Sequence, residues 1–414
     1  MSRVVELVVP ARLGVGFRWL LASSWVSNLG DGIGLAAGPL LVASLTDDAR
    51  LVALGATLQW LPPLLFGLLA GALSDRLDRR RLVIIMNLVR AVILAVLATA
   101  VVTDQITIVI VLAALFLLGT SEVFVDNTTS TLLPMLVERD DLALANSRLQ
   151  AGFITANQLA GPPLGAALFA AGTALPFAAE AVLVMAGAVV ISRLRLPARV
   201  GEQARRHIGR DIGEGLRFAL RHAAVRTLIL TVFSFNITFG AAWAVLVLYA
   251  RDHLGMGAVG FGLLTTVSAV GGVVATTAYG WITRRVTLAN IMRIGLVIET
   301  LTHAALALTT VPWVAMAIMF VFGAHAFVWG TTSITIRQRA VPLRLQGRVN
   351  SVNLIGSFGG LVVGSVVGGS LAEHWGVTAP FWFGAAGSAV FVVAIWRQLR
   401  HIAVADASPV IDES

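Results

Sequence analysis

The sequence predicts an all-α membrane protein, with about twelve transmembrane helices in two pseudo-symmetric six-helix bundles. Three observations carry that prediction. Hydrophobic residues make up 57% of the 414 residues and charged ones only 13%, with a mean hydropathy of +0.86, so a soluble globule would have to expose most of its apolar surface. The chain divides into apolar stretches of roughly 20 residues joined by short connections, the length a helix needs to cross a bilayer. Its halves also echo each other: Gly71 to Leu82 has a worn counterpart in Gly280 to Arg285, and Pro134…Asn146-Ser147 is matched by Pro342…Asn350-Ser351.

In order, the expected spans are Phe17–Ser44, Leu51–Leu73, Leu82–Val102, Ile106–Leu132, Leu149–Ala171, Pro176–Ile191, Leu228–Ala250, Gly260–Ile282, Ile291–Thr309, Val311–Ile336, Val349–Leu371 and Ala379–Trp396. Met1 to Arg18 lacks the apolar core and cleavage site of a signal peptide and reads as a cytoplasmic lead-in. The chain falls into a first bundle (residues 1–192), a linker (193–227), and a second bundle with a short tail (228–414). Ile212, Leu216, Phe218 and Leu220 give the linker a helical apolar pattern, expected to lie on the membrane surface.

One set of loops carries Arg76, Arg79 to Arg81, Arg139, Arg148, the run from Arg193 to Arg226, Arg284, Arg285, Arg337, Arg339, Arg344 and Arg348. The other carries only Arg50 and Arg251, each beside an aspartate. This bias places both termini in the cytoplasm. All 30 basic residues are arginine and cysteine is absent. These absences exclude disulfides, thiol chemistry, a lysine-bearing phosphate loop and Schiff-base catalysis. The net charge of +8 reads as attraction to anionic lipid rather than to nucleic acid.

The most informative dozen residues are Gly71-Ala-Leu-Ser-Asp75-Arg76-Leu-Asp78-Arg79-Arg80-Arg81-Leu82. Read alone, they are a positive-inside anchor. Gly-x-Leu-x-Asp-Arg-x-x-Arg-Arg resembles the loop between the second and third helices of the major facilitator superfamily. The resemblance implies that Gly71 permits close helix approach, and that Asp75, Arg76, Arg79 and Arg80 latch one transport state, with Asp126 of the fourth span pairing with a hairpin arginine. Leu133-Pro134 to Val137 with Leu142 to Asn146, Glu214 to Phe218, and Arg337-Gln338 to Val349 are similar to the branch holding macrolide-efflux proteins and the bacterial enterobactin exporter. Gly161-Pro162-Pro163-Leu-Gly165 is similar to the core of an antiporter motif. Without the resemblance it reads as a proline kink with close-packing glycines.

A charge at mid-membrane costs roughly 2.5–3.5 kcal/mol on insertion scales, so each needs a reason. Asp31, with Asn28 one turn earlier, is either a coupling carboxylate or a fixed partner of Arg90. Glu122, four residues before Asp126, is the carboxylate this reading favours as proton carrier. Glu299 and His303 stand one turn apart in the ninth span and His325 in the tenth, and either a proton relay or a static pair accounts for them. Glu180, near the end of the sixth span, reads as reaching the interface. Asn28, Asn157, Gln158, Asn236, Trp243, Trp329 and Asn353 are candidates to line a substrate cavity.

These features imply a transporter rather than an enzyme, with no cofactor and no bound metal. The resemblance implies a monomeric proton-coupled exporter of drug-like, antibiotic or siderophore-like molecules, with the cell (inner) membrane as its expected location; the alternative is an uptake symporter or facilitator for a small metabolite.

Overall fold

Helices account for most of the chain in the computed structural model, which describes residues 11–194, 208–396 and 398. The expected lead-in before residue 11, the linker stretch 195–207 and the tail from residue 399 lie outside the described residues, as does the side chain of Asp75. In the first half the helices are α1 (Gly14–Leu45), α2 (Ala49–Arg76), α3 (Arg79–Val102), α4 (Ile108–Leu132), α5 (Leu142–Gly152), α6 (Gly161–Ala171) and α7 (Leu175–Ile191). In the second half they are α8 (Ile208–Arg221), α9 (Ala223–Trp243), α10 (Ala258–Arg285), α11 (Leu288–Leu308), α12 (Pro312–Ala340), α13 (Leu343–Trp375) and α14 (Ala379–Ile395).

Among the described residues, nine helices are long and apolar enough to cross a membrane, while α7 and α14 are shorter apolar helices. The expected fifth span is not one α-helix. It runs from α5 through a π-helical stretch, Phe153–Ala160, into α6. Pro162 and Pro163 lack the N–H groups that would reach the carbonyls of residues 158 and 159, so two ladder bonds are missing where the π-helical stretch meets α6. The seventh span ends its regular helix at Trp243, then continues through a turn at Leu246–Leu248 and a π-helical stretch at Tyr249–His253.

The sequence echo is expressed in the caps. The α2–α3 and α10–α11 connections are two residues each, Leu77–Asp78 and Val286–Thr287. Asp78 caps α3 by accepting from the Arg81 backbone N–H, and Thr287 caps α11 by accepting from that of Asn290.

The chain separates into two compact units with exchanged segments. One takes Met1–Thr46, Leu65–Ala204 and Phe261–Thr266; the other takes Asp47–Leu64, Arg205–Gly260 and Val267–Ser414. In the first, Phe17, Leu20, Leu21, Val83, Val125, Leu132 and Ile191 form one core. In the second, Leu228, Leu288, Met292, Leu296, Ile336 and Ile395 do so. The start of α2 belongs to the second unit: Thr57 and Ser365 hydroxyls lie 2.6 Å apart, the Ala49 backbone N–H donates to Glu373 at 3.0 Å, and Arg251 pairs with Asp47 at 2.9 Å.

The linker helix α8 is held by α13 along one side. Gly215 fits against the backbone of Arg348, Ala219 joins the apolar cluster of Val225, Val341 and Val349, and Glu214 pairs with Arg348 at 2.6 Å. Small residues on one side therefore dock α8 on α13, while Leu216 and Leu220 remain exposed.

Candidate functional site

Among the described residues, each unit buries a cluster of ionisable side chains. In the first, Arg90 of α3 is 2% exposed and pairs with Asp31 of α1 and, at 3.8 Å, with Glu180 of α7. Glycine spacing on α1 makes room for this. A Cβ at Gly34 would stand 2.7 Å from a Glu180 carboxylate oxygen, and one at Gly30 would stand 3.4 Å from Glu180 Cγ. Two carboxylates thus face one guanidinium, whose Nε and Nη1 carry no hydrogen bond. Asn87, one turn before Arg90, is also buried with both amide atoms unpartnered.

Asp31 therefore stands as a partner of Arg90. Glu180 is not at an interface as expected; it is 5% exposed and faces Arg90. Its apolar helix hid this role, although a lone carboxylate inside seventeen residues otherwise free of charge was the available signal. Glu122 is partly exposed and makes no ion pair among the described residues.

In the second unit, Glu299 and His303 of α11 are fully buried and His325 of α12 nearly so. His303 Nδ1 lies 3.5 Å from one Glu299 carboxylate oxygen, and His325 Nε2 lies 3.8 Å from the other. Neither oxygen has a hydrogen-bond partner. Both imidazoles face backbone carbonyls through Nδ1, His303 toward Glu299 at 3.0 Å and His325 toward Phe322 at 3.1 Å. A carbonyl only accepts, so Nδ1 donates in both rings and each Nε2 is left as the acceptor. Glycines again create the space: Gly384 of α14 accommodates the His303 ring, and Gly295 accommodates Trp329 and His325.

The latch residues are only partly assembled. Arg79 donates to the Met135 sulfur at 2.8 Å and Arg80 to the Leu194 carbonyl at 2.8 Å. Arg76 is exposed beside Asp75, whose side chain is outside the described ones. Asp126 is exposed and makes no ion pair among the described residues, so the expected arginine partnership is not formed. Gly71 does not mark a close approach either, since a Cβ there would meet nothing within 4 Å. Close approach occurs instead at the Gly-Pro-Pro-x-Gly stretch: Gly161 abuts Gly32, Gly165 abuts the Ile33 carbonyl, and Pro162 is buried between them in α6.

The cavity candidates are dispersed. Asn28 donates within its own helix to Ser24, and Gln158 donates to Asn157 at 2.7 Å. Trp243 stacks with Phe239 at 4.3 Å between centroids and meets Phe322 tilted at 4.6 Å, while Trp329 stacks on Phe235 at 5.7 Å. Asn236 lies beside Gly360, and Asn353 is buried with its carbonyl oxygen unpartnered. The described residues contain no group of three potential ligands arranged for a metal.

With helices, caps and buried charges in place, the family assignment follows from the length of the match. Residues 8–412 match the family described as transmembrane secretion effector. The chain belongs to that family. It is a membrane transporter of the major facilitator kind, not an enzyme. Its fold is shared with a mutant form of the nucleoside transporter NupG, at TM-score 0.75 and 13% identity, covering 92% of this chain and 99% of that one. A bacterial homologue of the iron transporter ferroportin aligns with TM-score 0.70 and 16% identity over 95% and 99% of the two chains. A bacterial homologue of the human lysosomal transporter Spinster aligns with TM-score 0.71 and 14% identity over 96% and 98%. No curated protein matches by sequence.

Proposed function

We propose that the protein is a monomeric proton-coupled antiporter of the inner membrane, with both termini cytoplasmic, exporting drug-like, antibiotic or siderophore-like small molecules by alternating access. The observation that carries this reading is the buried Glu299 flanked by His303 and His325, with both carboxylate oxygens lacking a donor. One proton held among these groups supplies the missing donor, and its arrival or loss changes the charge of the second unit's core. Glu299 is accordingly the principal coupling carboxylate, and Asp31 serves mainly as counter-ion to Arg90. The secretion description of the family supports the outward direction.

The driving force is adequate: one proton crossing about 100 mV and one pH unit releases roughly 3.7 kcal/mol, enough for a several-hundred-fold substrate gradient. The test is transport in inverted vesicles with an imposed inside-acid gradient, using macrolides, dyes and siderophores. Accumulation by wild type, lost in Glu299→Gln, is the expected outcome. Accumulation only when the gradient is reversed would favour the uptake reading, and wild-type coupling in Glu299→Gln would remove Glu299 from the relay.

A further inference from the structure

From α10 to α14 the second unit is rich in arginine and poor in carboxylates. Residues 258–396 include Arg284, Arg285, Arg293, Arg337, Arg339, Arg344 and Arg348, against only Glu299 and Glu373. Glu299 is in mid-span, and Glu373 is near the opposite end of α13, accepting from the Ala49 N–H. Glu214 of α8 reaches this end of the unit and is taken by Arg348. The first-half hairpin differs, because Asp75 and Asp78 are interleaved with its arginines.

Two of the second unit's arginines are held against tryptophan rings. The Arg285 guanidinium lies 4.3 Å over the Trp281 ring on α10, and that of Arg293 on α11 lies 5.5 Å over Trp396, just past the end of α14. Both tryptophans are exposed, Trp281 at 52% and Trp396 at 44%. The neighbours Ile282, Val286, Met292 and Ile395 all belong to one apolar cluster, so the two stacks flank a single packed junction of α10, α11 and α14. Arg284 beside them is exposed, as is Ile294 next to Arg293.

The chemistry of this edge matches a lipid headgroup better than a protein. Stacking occupies only the face of a guanidinium, so the exposed Arg285 keeps its in-plane N–H donors for phosphate oxygens, while Arg293, whose Nε is buried and whose Nη1 is taken by Asn290, offers chiefly Nη2 and its charge. Tryptophan favours the membrane interface, and exposed aliphatic side chains beside the stacks suit acyl chains. We infer that Trp281–Arg285 and Arg293–Trp396 form a binding site for the phosphate headgroup of an anionic phospholipid, at the arginine-rich edge of the second unit. The guanidinium of Arg293 is steadied by donating to the Asn290 side-chain carbonyl oxygen at 3.2 Å, and Arg284 supplies a further positive charge.

The test is native mass spectrometry of the full-length protein in detergent, titrated with phosphatidylglycerol or phosphatidylcholine. Wild type is expected to retain phosphatidylglycerol at least tenfold more tightly, and Arg285→Gln combined with Arg293→Gln to abolish the preference. Arg81→Gln, on the first-half hairpin, is expected to leave it intact. Trp281→Leu with Trp396→Leu keeps every charge and serves as the second variant if the arginine one does not fold; it should weaken retention severalfold. Equal retention of both lipids by wild type, or full preference in the tryptophan variant, would overturn the site. So would one-for-one displacement of lipid by glycerol 3-phosphate, which would assign the stacks to a soluble phosphate.

Discussion

At the scale of single residues, the two buried clusters differ in how their charges are satisfied. Arg90 has Asp31 and Glu180 as partners, so removing it leaves both carboxylates without a counter-ion, whereas removing Asp31 leaves Arg90 with Glu180. Breaking a buried pair by deleting one partner costs about 3–5 kcal/mol, mostly through the charge left behind. Arg90→Met is therefore expected to lower the detergent melting temperature well beyond Asp31→Asn; equal losses would show that Glu180 does not share the guanidinium. Asp31 and Arg90 were legible in the sequence as possible partners because both are charges inside apolar stretches. Glu180 was misplaced because linear position says how deep a residue lies but not which helix it faces.

At the scale of helices, glycine has two different meanings in this chain. Gly165 abuts the Ile33 carbonyl and Gly71 faces open space, although both belong to recognisable motifs. Forcing a methyl into a packed contact costs about 1–3 kcal/mol, while alanine in an open helix is favoured over glycine by up to about 1 kcal/mol. Gly165→Ala should destabilise by an amount in that range, and Gly71→Ala should be neutral or stabilising when both are unfolded in parallel. A second consequence concerns His222, which caps α9 by accepting the Val225 N–H on Nδ1, and whose pKa burial holds below the ordinary 6.5. The folded state then binds fewer protons than the unfolded one, so the cap's contribution is present above pH 6.5 and is lost as pH falls below it. Hydrogen exchange at the first turn of α9 should accelerate on acidification, and His222→Asn, which keeps an acceptor, should remove most of that dependence.

At the scale of the whole molecule, the absence of cysteine provides a clean background for cross-linking. Thr57 and Ser365 hydroxyls touch at 2.6 Å, so cysteines at both positions are placed to form a disulfide on oxidation. If alternating access separates α2 from α13 in each cycle, the oxidised pair should arrest transport, and reduction should restore it. Unimpaired transport with the bond formed would mean that this contact persists throughout the cycle.

Composition and hydrophobic run length alone determined that this chain is a helical membrane protein, because a bilayer accepts little besides helices about 20 apolar residues long. The motif echoes likewise exposed the duplicated hairpin, whose caps at Asp78 and Thr287 are local and depend on near neighbours in the chain. Which carboxylate is matched and which is left unpartnered was decided only by tertiary structure. Asp31, Glu180 and Arg90 come from three helices, and Glu299 and His325 from two; their distances depend on helix rotation and on glycines that admit one helix to another. Helix-to-helix contact in a membrane is set by shape rather than by apolarity, since lipid is as apolar as the core, so hydrophobic patterning carries little trace of it.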